Sequence, residues 1–342
     1  MSRLRPALEP LAATLGALVL GAALLLALGA DPARALAALV QGAFGDALAL
    51  ENTLVRSGPL VLAGLAIALA FRAGVWNIGA EGQLYVGALA ATALATRVAP
   101  GAPGPVLIPL VLAGGAVCGA LWAGIAALLK VRRGVSEVLG TLLLNFIALL
   151  AVAWAVHGPL QETAAAYPQS DPLPAAAELP LLPGSLRLHV GLAFALLLPA
   201  LLWALLFRSA AGLRLRAVGL APDAARYAGV SPPRETVRAL MLSGGLAGLA
   251  GAIEIAGVTH RLFENLSPGY GFTAIAVALL ARLHPLGVLP SALFFAVLAS
   301  GSGAMQRNAD VPAVAVQVIE ALVILLSVGF ALGGRARRGA AA

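Results

Sequence analysis

The sequence has few charges and a single cysteine, and each scarcity excludes a class of protein or site. Only 11% of its 342 residues are charged, whereas 61% are hydrophobic and the mean hydropathy is +0.95. A soluble globular domain carries about 25% charged residues. This composition therefore excludes a soluble globular protein and indicates a polytopic membrane protein. The single cysteine, Cys118, lies in an apolar run and excludes an intrachain disulfide or a cysteine metal cluster.

Motifs for catalysis and nucleotide binding are also missing. The only lysine, Lys130, is followed by valine, so the glycine-rich stretch 243–251 lacks the Gly-Lys-Ser/Thr of a phosphate loop and instead predicts close helix packing. Neither H-E-x-x-H nor G-x-S-x-G occurs, and the four histidines are scattered at the ends of apolar runs. The net charge of +7 comes from residues at run ends, not from a patch interleaved with aromatics. We therefore expect no enzyme, no metal or cofactor site and no nucleic-acid partner.

Ten apolar runs approach the length of about 20 residues that a membrane span requires. They cover 11–30, 54–71, 83–98, 106–129, 136–157, 189–207, 237–258, 271–283, 286–303 and 312–332. The runs 54–71, 83–98, 271–283 and 286–303 are short, so an eight-span variant in which two runs are re-entrant stays open. We predict an all-α membrane protein with a single transmembrane domain over 1–342 and about ten transmembrane helices.

The distribution of basic residues predicts the orientation. The first run follows Arg3 and Arg5 and shares features with a cleaved signal peptide, but we interpret it as the first span. With the amino terminus inside and ten crossings, most of the 22 Lys and Arg residues fall on the cytoplasmic side, as the positive-inside rule requires. Both termini are then cytoplasmic, the proline-rich segment 158–187 is an external loop with at least partial order, and the basic segment 208–238 is a cytoplasmic loop.

A short alanine-rich stretch in segment 208–238 predicts a small helix. Asp223 can lie near its start and Gly229 can close it, while Pro232 and Pro233 would prevent its continuation. Composition alone leaves open whether such a helix docks a partner or is only a surface element.

Polar side chains interrupt the apolar runs, although a charge at membrane depth costs roughly 2.5 to 3.5 kcal/mol on insertion scales. They are Asn77, Glu81, Gln83, Glu137, Thr141, Asn145, Glu254, Gln317 and Glu320. Three of them, Glu137, Thr141 and Asn145, recur every four residues and would form one stripe on a helix, which faces either a pathway or another helix. Glu137 follows Arg132 and Arg133 closely, so we expect it to have a structural role at the cytoplasmic edge.

The stretch Gly74–Gln83 concentrates these polar residues between two long apolar runs. Its three glycines loosen the helix, and broken helices at depth are tolerated where they are buried in protein or face a water-filled cavity. Trp76 offers a flat face to a ring, and Asn77 and Gln83 can hydrogen-bond hydroxyls or base edges. A packed re-entrant turn is the alternative to a pathway for a neutral, ring-containing polar solute. The residues that we expect to line or gate this pathway are Trp76, Asn77, Glu81, Gln83 and Asn145.

Three separated motifs resemble the permease subunits of nucleoside-type ABC importers, relatives of ribose and branched-chain amino-acid permeases. They are Gly74–Gln83, Glu137–Ala148 and Ala217–Val230, in matching order within a similarity that runs from about residue 54 to 330. The resemblance implies a type II importer-like fold and a chain without its own ATPase, since ATP is hydrolysed by two cytoplasmic partner subunits. It also implies an external lipid-anchored binding protein and a second permease, in a heterodimer or, as the fallback, a homodimer.

The resemblance further gives the short cytoplasmic helix a role. Segment 222–230 would be the coupling helix that rests in a groove on the ATPase, and the function would be ATP-driven import of nucleosides or related sugars. The alternative is an ion-coupled secondary transporter in which Glu81 and Glu254 carry protons; a lipid-modifying enzyme would lack its nucleophile and base. The residues that we expect at the ATPase interface are Asp223, Ala225, Arg226, Tyr227 and Gly229.

Overall fold

The computed structural model describes residues 29–309 continuously, residues 19–27, and the single residues 16, 311, 312, 318, 321, 322 and 325. The last predicted span, 312–332, falls almost wholly outside the described residues, and so do Gln317 and Glu320. The first predicted span, 11–30, is described only in part.

The described part of the chain is built from α-helices. They are α1 (Val19–Ala27), α2 (Pro32–Phe44), α3 (Ala47–Arg72), α4 (Ala80–Ala93), α5 (Gly104–Arg133), α6 (Glu137–Val156), α7 (Gly191–Arg208), α8 (Ala210–Leu220), α9 (Pro222–Tyr227), α10 (Pro232–Glu254), α11 (Tyr270–Leu280) and α12 (Pro285–Ala309). Two of them continue into π-helical turns, α4 into Leu94–Val98 and α10 into Ile255–Thr259.

Six of these helices are long and apolar enough to cross a membrane: α3, α5, α6, α7, α10 with its π turn, and α12. A seventh span results if α1 and α2, which meet at an angle of 120°, are counted as one. The predictions of an all-α fold and of a multi-pass membrane protein are therefore confirmed. The number of about ten spans stays a prediction.

α3 and α10 form the centre of the bundle. Both are mostly buried, whereas less than half of the residues in the apolar stretches of α5, α6 and α7 are buried. A helix that is apolar on every side fits such a central position, and α3 is buried continuously from Ser57 to Ala70. The uncovered faces of the outer helices, for example Leu143 and Trp154 on α6, suit contact with lipid.

Glycines bring α4, α5 and α10 into backbone contact. A Cβ atom on Gly119 would lie 2.7 Å from the Cα of Gly248, and one on Gly248 would lie 2.9 Å from the Cα of Gly119. A Cβ on Gly115 would lie 3.0 Å from the carbonyl oxygen of Gly87. Since real Cβ atoms need more room, only glycine fits here, and the close helix packing predicted from the glycine-rich stretch 243–251 is confirmed.

The segment 158–190 packs on one end of the bundle, which we call the loop end. Its backbone N–H groups at Ser170, Leu173 and Leu179 donate to the carbonyls of Leu262, His260 and Ala256, at 2.8, 2.9 and 2.8 Å. Ion pairs join Asp171 to Arg97 at 3.8 Å and Glu162 to Arg261 at 3.1 Å. These contacts show an ordered segment fastened to the π turn of α10.

The opposite end of the bundle, which we call the α9 end, contains most of the segment predicted as the loop 208–238. That segment is largely helical, because α8 and α9 lie within it and α10 begins at Pro232. The small helix predicted near Asp223 is confirmed, and Gly229 closes it with a φ of +81°. Pro232 was expected only to stop this helix, but it also begins the next one.

α11 is a half-length helix that begins inside the bundle. Residues 260–269 lead inward from the loop end, and the hydroxyl of Tyr85 accepts the backbone N–H of Ser267 at 3.1 Å. α11 then runs to the α9 end, where Arg72 donates to the carbonyl of Leu283 at 2.5 Å. Its 11 residues span about 16 Å at 1.5 Å per residue, which is too short for a hydrocarbon core of about 30 Å.

Candidate functional site

A break separates α3 from α4 at residues 73–79. Gly74 has a φ of +74° and lies against Gly219 of α8, where an added Cβ would be 3.0 Å from the Cα of Gly219. The interruption that the sequence predicted is therefore present. Gly82 was also expected to loosen the helix, but it lies within α4 and packs against Asn145.

Asn77 occupies the centre of the break and is fully buried. Its amide nitrogen donates to Gln83 Oε1 at 2.9 Å and to the hydroxyl of Ser243 at 2.8 Å. Its amide oxygen accepts the backbone N–H of Gly79 at 2.9 Å and Gln83 Nε2 at 3.0 Å. The Ser243 hydroxyl in turn donates to the carbonyl of Ala66 at 2.7 Å. The break is thus tied to α3, α4 and α10 by one closed network.

The polar stripe of α6 faces this break. The Thr141 hydroxyl accepts the N–H of Ile78 at 3.1 Å, and Asn145 Nδ2 donates to the carbonyl of Ile78 at 2.9 Å. Asn145 Oδ1 accepts the N–H of Gly82 at 2.8 Å. These side chains supply the partners that the unwound backbone and the first turn of α4 lack.

Glu81 joins the starts of two helices. It lies in the first turn of α4, is buried, and accepts the backbone N–H of Gly271 in the first turn of α11 at 2.6 Å. The free N–H groups at helix amino termini stabilise a nearby carboxylate. The Glu81 side chain therefore holds α11 against α4.

Trp76 differs from the other predicted pathway residues because 53% of it is exposed. Its ring contacts Phe71 with a centroid separation of 4.5 Å. Asn77, Glu81, Gln83 and Asn145 are buried and hydrogen-bonded within the protein. In this conformation the break therefore exposes the Trp76 ring, and the polar side chains around it are buried and hydrogen-bonded to other parts of the protein.

Glu137 lies at the start of α6 and forms an ion pair with Lys130 at 2.5 Å. The sequence predicted a structural role for it next to Arg132 and Arg133. Lys130, in the last turn of α5, is the partner that the structure shows.

α9 projects charged and aromatic side chains from the α9 end. Tyr227 is 95% exposed, and the exposed Asp223 and Arg226 form an ion pair at 3.4 Å across one turn. Ala225 is buried beneath the helix and accepts the N–H of Val230 at 2.9 Å. The helix is thus fixed from below while its outer face stays open.

Two histidines come together at the loop end, which the sequence did not indicate. The ring of His189 is buried, and a Cβ on Gly257 would lie 2.5 Å from its Cε1. Burial, followed by the nearby His260, lowers the pKa of His189 to about 4. Among the described residues, no group of three or more His, Cys, Asp or Glu side chains could hold a metal ion.

Comparison with known proteins shows the family. Residues 49–328 match the model for the permease component of the branched-chain amino acid transport system. The chain is 39% identical over 326 residues to the glucose ABC transporter permease TsgB13 of Haloferax volcanii, covering 92% of this chain and 85% of that protein. It is 35% identical over 349 residues to the guanosine ABC transporter permease NupP of Bacillus subtilis, covering 99% of both.

The nucleoside ABC transporter permease NupB of Lactococcus lactis is 32% identical over 338 residues, with 96% of this chain and 93% of NupB covered. The last two organisms each have a second matching permease, NupQ for guanosine at 30% and NupC for nucleosides at 26% identity. The chain belongs to the family of permease components of ABC transporters that includes these nucleoside and sugar permeases.

Proposed function

We propose that the chain imports nucleosides or related sugars through the inner cell membrane as the transmembrane subunit of an ABC importer. The observation that supports this most is the near full-length similarity to NupP, a guanosine ABC transporter permease. The arrangement would be type II importer-like, with about ten helices and both termini in the cytoplasm. These relatives favour an ATP-driven mechanism over ion-coupled transport by Glu81 and Glu254.

The partners would be two cytoplasmic ATPases, an external lipid-anchored binding protein and a second permease. The paired permeases NupP with NupQ and NupB with NupC support a heterodimer. ATP hydrolysis by the partners would shift the population between inward-facing and outward-facing states through contacts that differ between those states.

The pathway would pass the break between α3 and α4. Trp76, whose ring is half exposed, would present a flat face to a nucleobase or sugar ring. Asn77, Glu81, Gln83 and Asn145 would gate it by holding the broken backbone in place, since their hydrogen bonds must be exchanged for the break to move.

The ATPase would contact the exposed Asp223, Arg226 and Tyr227 of α9 and the exposed Gly229 that follows it. Ala225, which is buried beneath them, would anchor the helix to the bundle. Tyr227 can insert its fully exposed ring into a groove, and Arg226 can pair with acidic groups there. Rigid support from the buried Ala225 would pass the ATPase motion to α8 and α10.

Two experiments test these proposals. ATP-loaded proteoliposomes containing the complete importer should accumulate adenosine, guanosine, uridine, ribose or glucose; uptake that persists without ATP would overturn the mechanism. Arg226→Glu should weaken co-purification of the ATPase, whereas Arg187→Glu, a charge reversal at the loop end, should leave it unchanged. Normal ATPase association in Arg226→Glu would refute the coupling role of α9.

A further inference from the structure

Glu254 is a buried carboxylate that the site described above does not use. It is the last residue of α10, directly before the π turn, and only 5% of it is exposed. Among the described residues, no side chain or backbone group hydrogen-bonds or ion-pairs with its carboxylate. Burying such a group without a partner is costly, and π turns inside helices are frequent at functional sites.

A second buried polar side chain, that of Tyr270, is in the same state. Tyr270 begins α11, is 8% exposed, and its hydroxyl has no hydrogen-bond partner within the described part of the chain. Glu254 and Tyr270 interact electrostatically, and Arg56 of α3 acts on both. Arg56 is exposed and lies in the half of α3 nearer the loop end. α3 packs against both α10 and α11, so the three polar groups lie on neighbouring helices within electrostatic range of one another, and no hydrogen bond or ion pair among the described residues joins them.

Glu81 provides the contrast that makes Glu254 notable. Both are buried glutamates in the bundle, but the Glu81 carboxylate is engaged by the N–H of Gly271. Glu254 retains its full capacity to accept hydrogen bonds, and Tyr270 can both donate and accept one. The guanidinium of Arg56 adds donors and offsets the charge of the Glu254 carboxylate, while the Glu81 carboxylate, which also acts on Tyr270, is engaged by the N–H of Gly271. The remaining pair of opposite charges suits a neutral solute better than a free ion.

A neutral solute with adjacent hydroxyl groups fits this set of partners. Two vicinal hydroxyls can donate to the two oxygens of one carboxylate, and their own lone pairs can accept from the guanidinium and the phenol. Glucose and guanosine, for which TsgB13 and NupP are named, differ in their ring systems but share adjacent hydroxyls on a sugar ring.

We propose that Glu254, Tyr270 and Arg56 form a polyhydroxyl-binding site in the loop-end half of the permease, which takes the sugar hydroxyls of the solute on its way to the break. This inference rests on the proposed function and adds that the site recognises the sugar ring of the solute instead of its base. Glu254 and Tyr270 contact the hydroxyls directly, and Arg56 closes the entrance.

The test uses the complete importer in ATP-loaded proteoliposomes with saturating binding protein. Glu254→Gln and Tyr270→Phe should each lower uptake of guanosine or glucose at least tenfold. ATPase stimulation by the loaded binding protein should stay within twofold of the unmodified importer, because assembly and coupling are unchanged. Glu264→Gln, which neutralises a half-buried carboxylate at the same end, is the matched control and should transport normally.

A second readout separates binding from a merely structural role. The unmodified importer should transport guanosine faster than 2′-deoxyguanosine, and glucose faster than 2-deoxyglucose, and this preference should disappear in Glu254→Gln. A preference that survives in Glu254→Gln, or uptake equal to that of Glu264→Gln, would overturn the site. Absence of ATP-dependent uptake in the unmodified importer would instead refute the proposed function, so the two failures are distinguishable.

Discussion

Replacing Asn145 with leucine tests whether α6 holds the helix break in place. Asn145 bonds the N–H of Gly82 at 2.8 Å and the carbonyl of Ile78 at 2.9 Å. Leucine has a similar volume but no polar atom, so both bonds are lost and two buried backbone groups lose their partner. Hydrogen bonds between membrane helices contribute about 0.6 to 1.7 kcal/mol each, and an unpaired buried group costs about 1 to 3 kcal/mol. We expect Asn145→Leu to lower the free energy of unfolding by about 3 kcal/mol.

The single cysteine provides the assay. Cys118 is half-buried on α5, so the rate at which it reacts with a thiol reagent, measured against SDS mole fraction, reports unfolding without added labels. Asn145→Asp keeps an acceptor for the Gly82 N–H but loses the donor to Ile78, and should have an intermediate effect. Leu143→Ala, on the lipid-facing side of the same helix, is the control. If Asn145→Leu were no more destabilising than Leu143→Ala, the hydrogen bonds would not hold the break.

Two further predictions concern the helix contact and the loop end. Gly248→Ala places a Cβ 2.9 Å from the Cα of Gly119 and should lower the free energy of unfolding by about 1 to 3 kcal/mol through overpacking, measured in the same assay. Gly140→Ala is the control and should be tolerated, because its Cβ would lie 3.6 Å from the nearest neighbouring atom. Equal effects of the two substitutions would refute the contact. His189, whose pKa falls to about 4 in the folded protein, binds a proton more readily when unfolded, so stability should fall as the pH drops from 6.5 to 4, by on the order of 3 kcal/mol. Thermal unfolding of His189→Gln should show a smaller acid-dependent loss, and an unchanged loss would assign it to other groups.

The long apolar spans and the break could be predicted from the sequence because both depend on local composition. Runs such as 106–129 and 136–157 exceed the span length and coincide closely with α5 and α6. α2 was missed although Asp31 caps it and Pro32 begins it, because its apolar residues follow the first run too closely to stand apart. α8 was missed because Arg214 and Arg216 made the segment look like a loop.

The partners of the buried polar residues could not be predicted from one sequence. Asn77 bonds Ser243, 166 residues away, and Glu81 bonds Gly271, 190 residues away. Such pairings depend on how the helices pack, which residue spacing does not specify. The sequence likewise showed that Glu254 lies within an apolar run. Only the assembled bundle shows that its carboxylate, unlike that of Glu81, has no hydrogen-bond partner among the described residues.

The glycine contact between α5 and α10 restricts the motions that are open to these helices. Gly115 and Gly119 face Gly244 and Gly248, and in each helix the two glycines are four residues apart, about one turn. A slide of less than a turn would push a larger side chain into a gap that has no room for a Cβ. A slide of one turn, about 5.4 Å, would set one glycine again opposite another. The contact therefore favours discrete registers of the two helices that lie one turn apart, with no stable register between them.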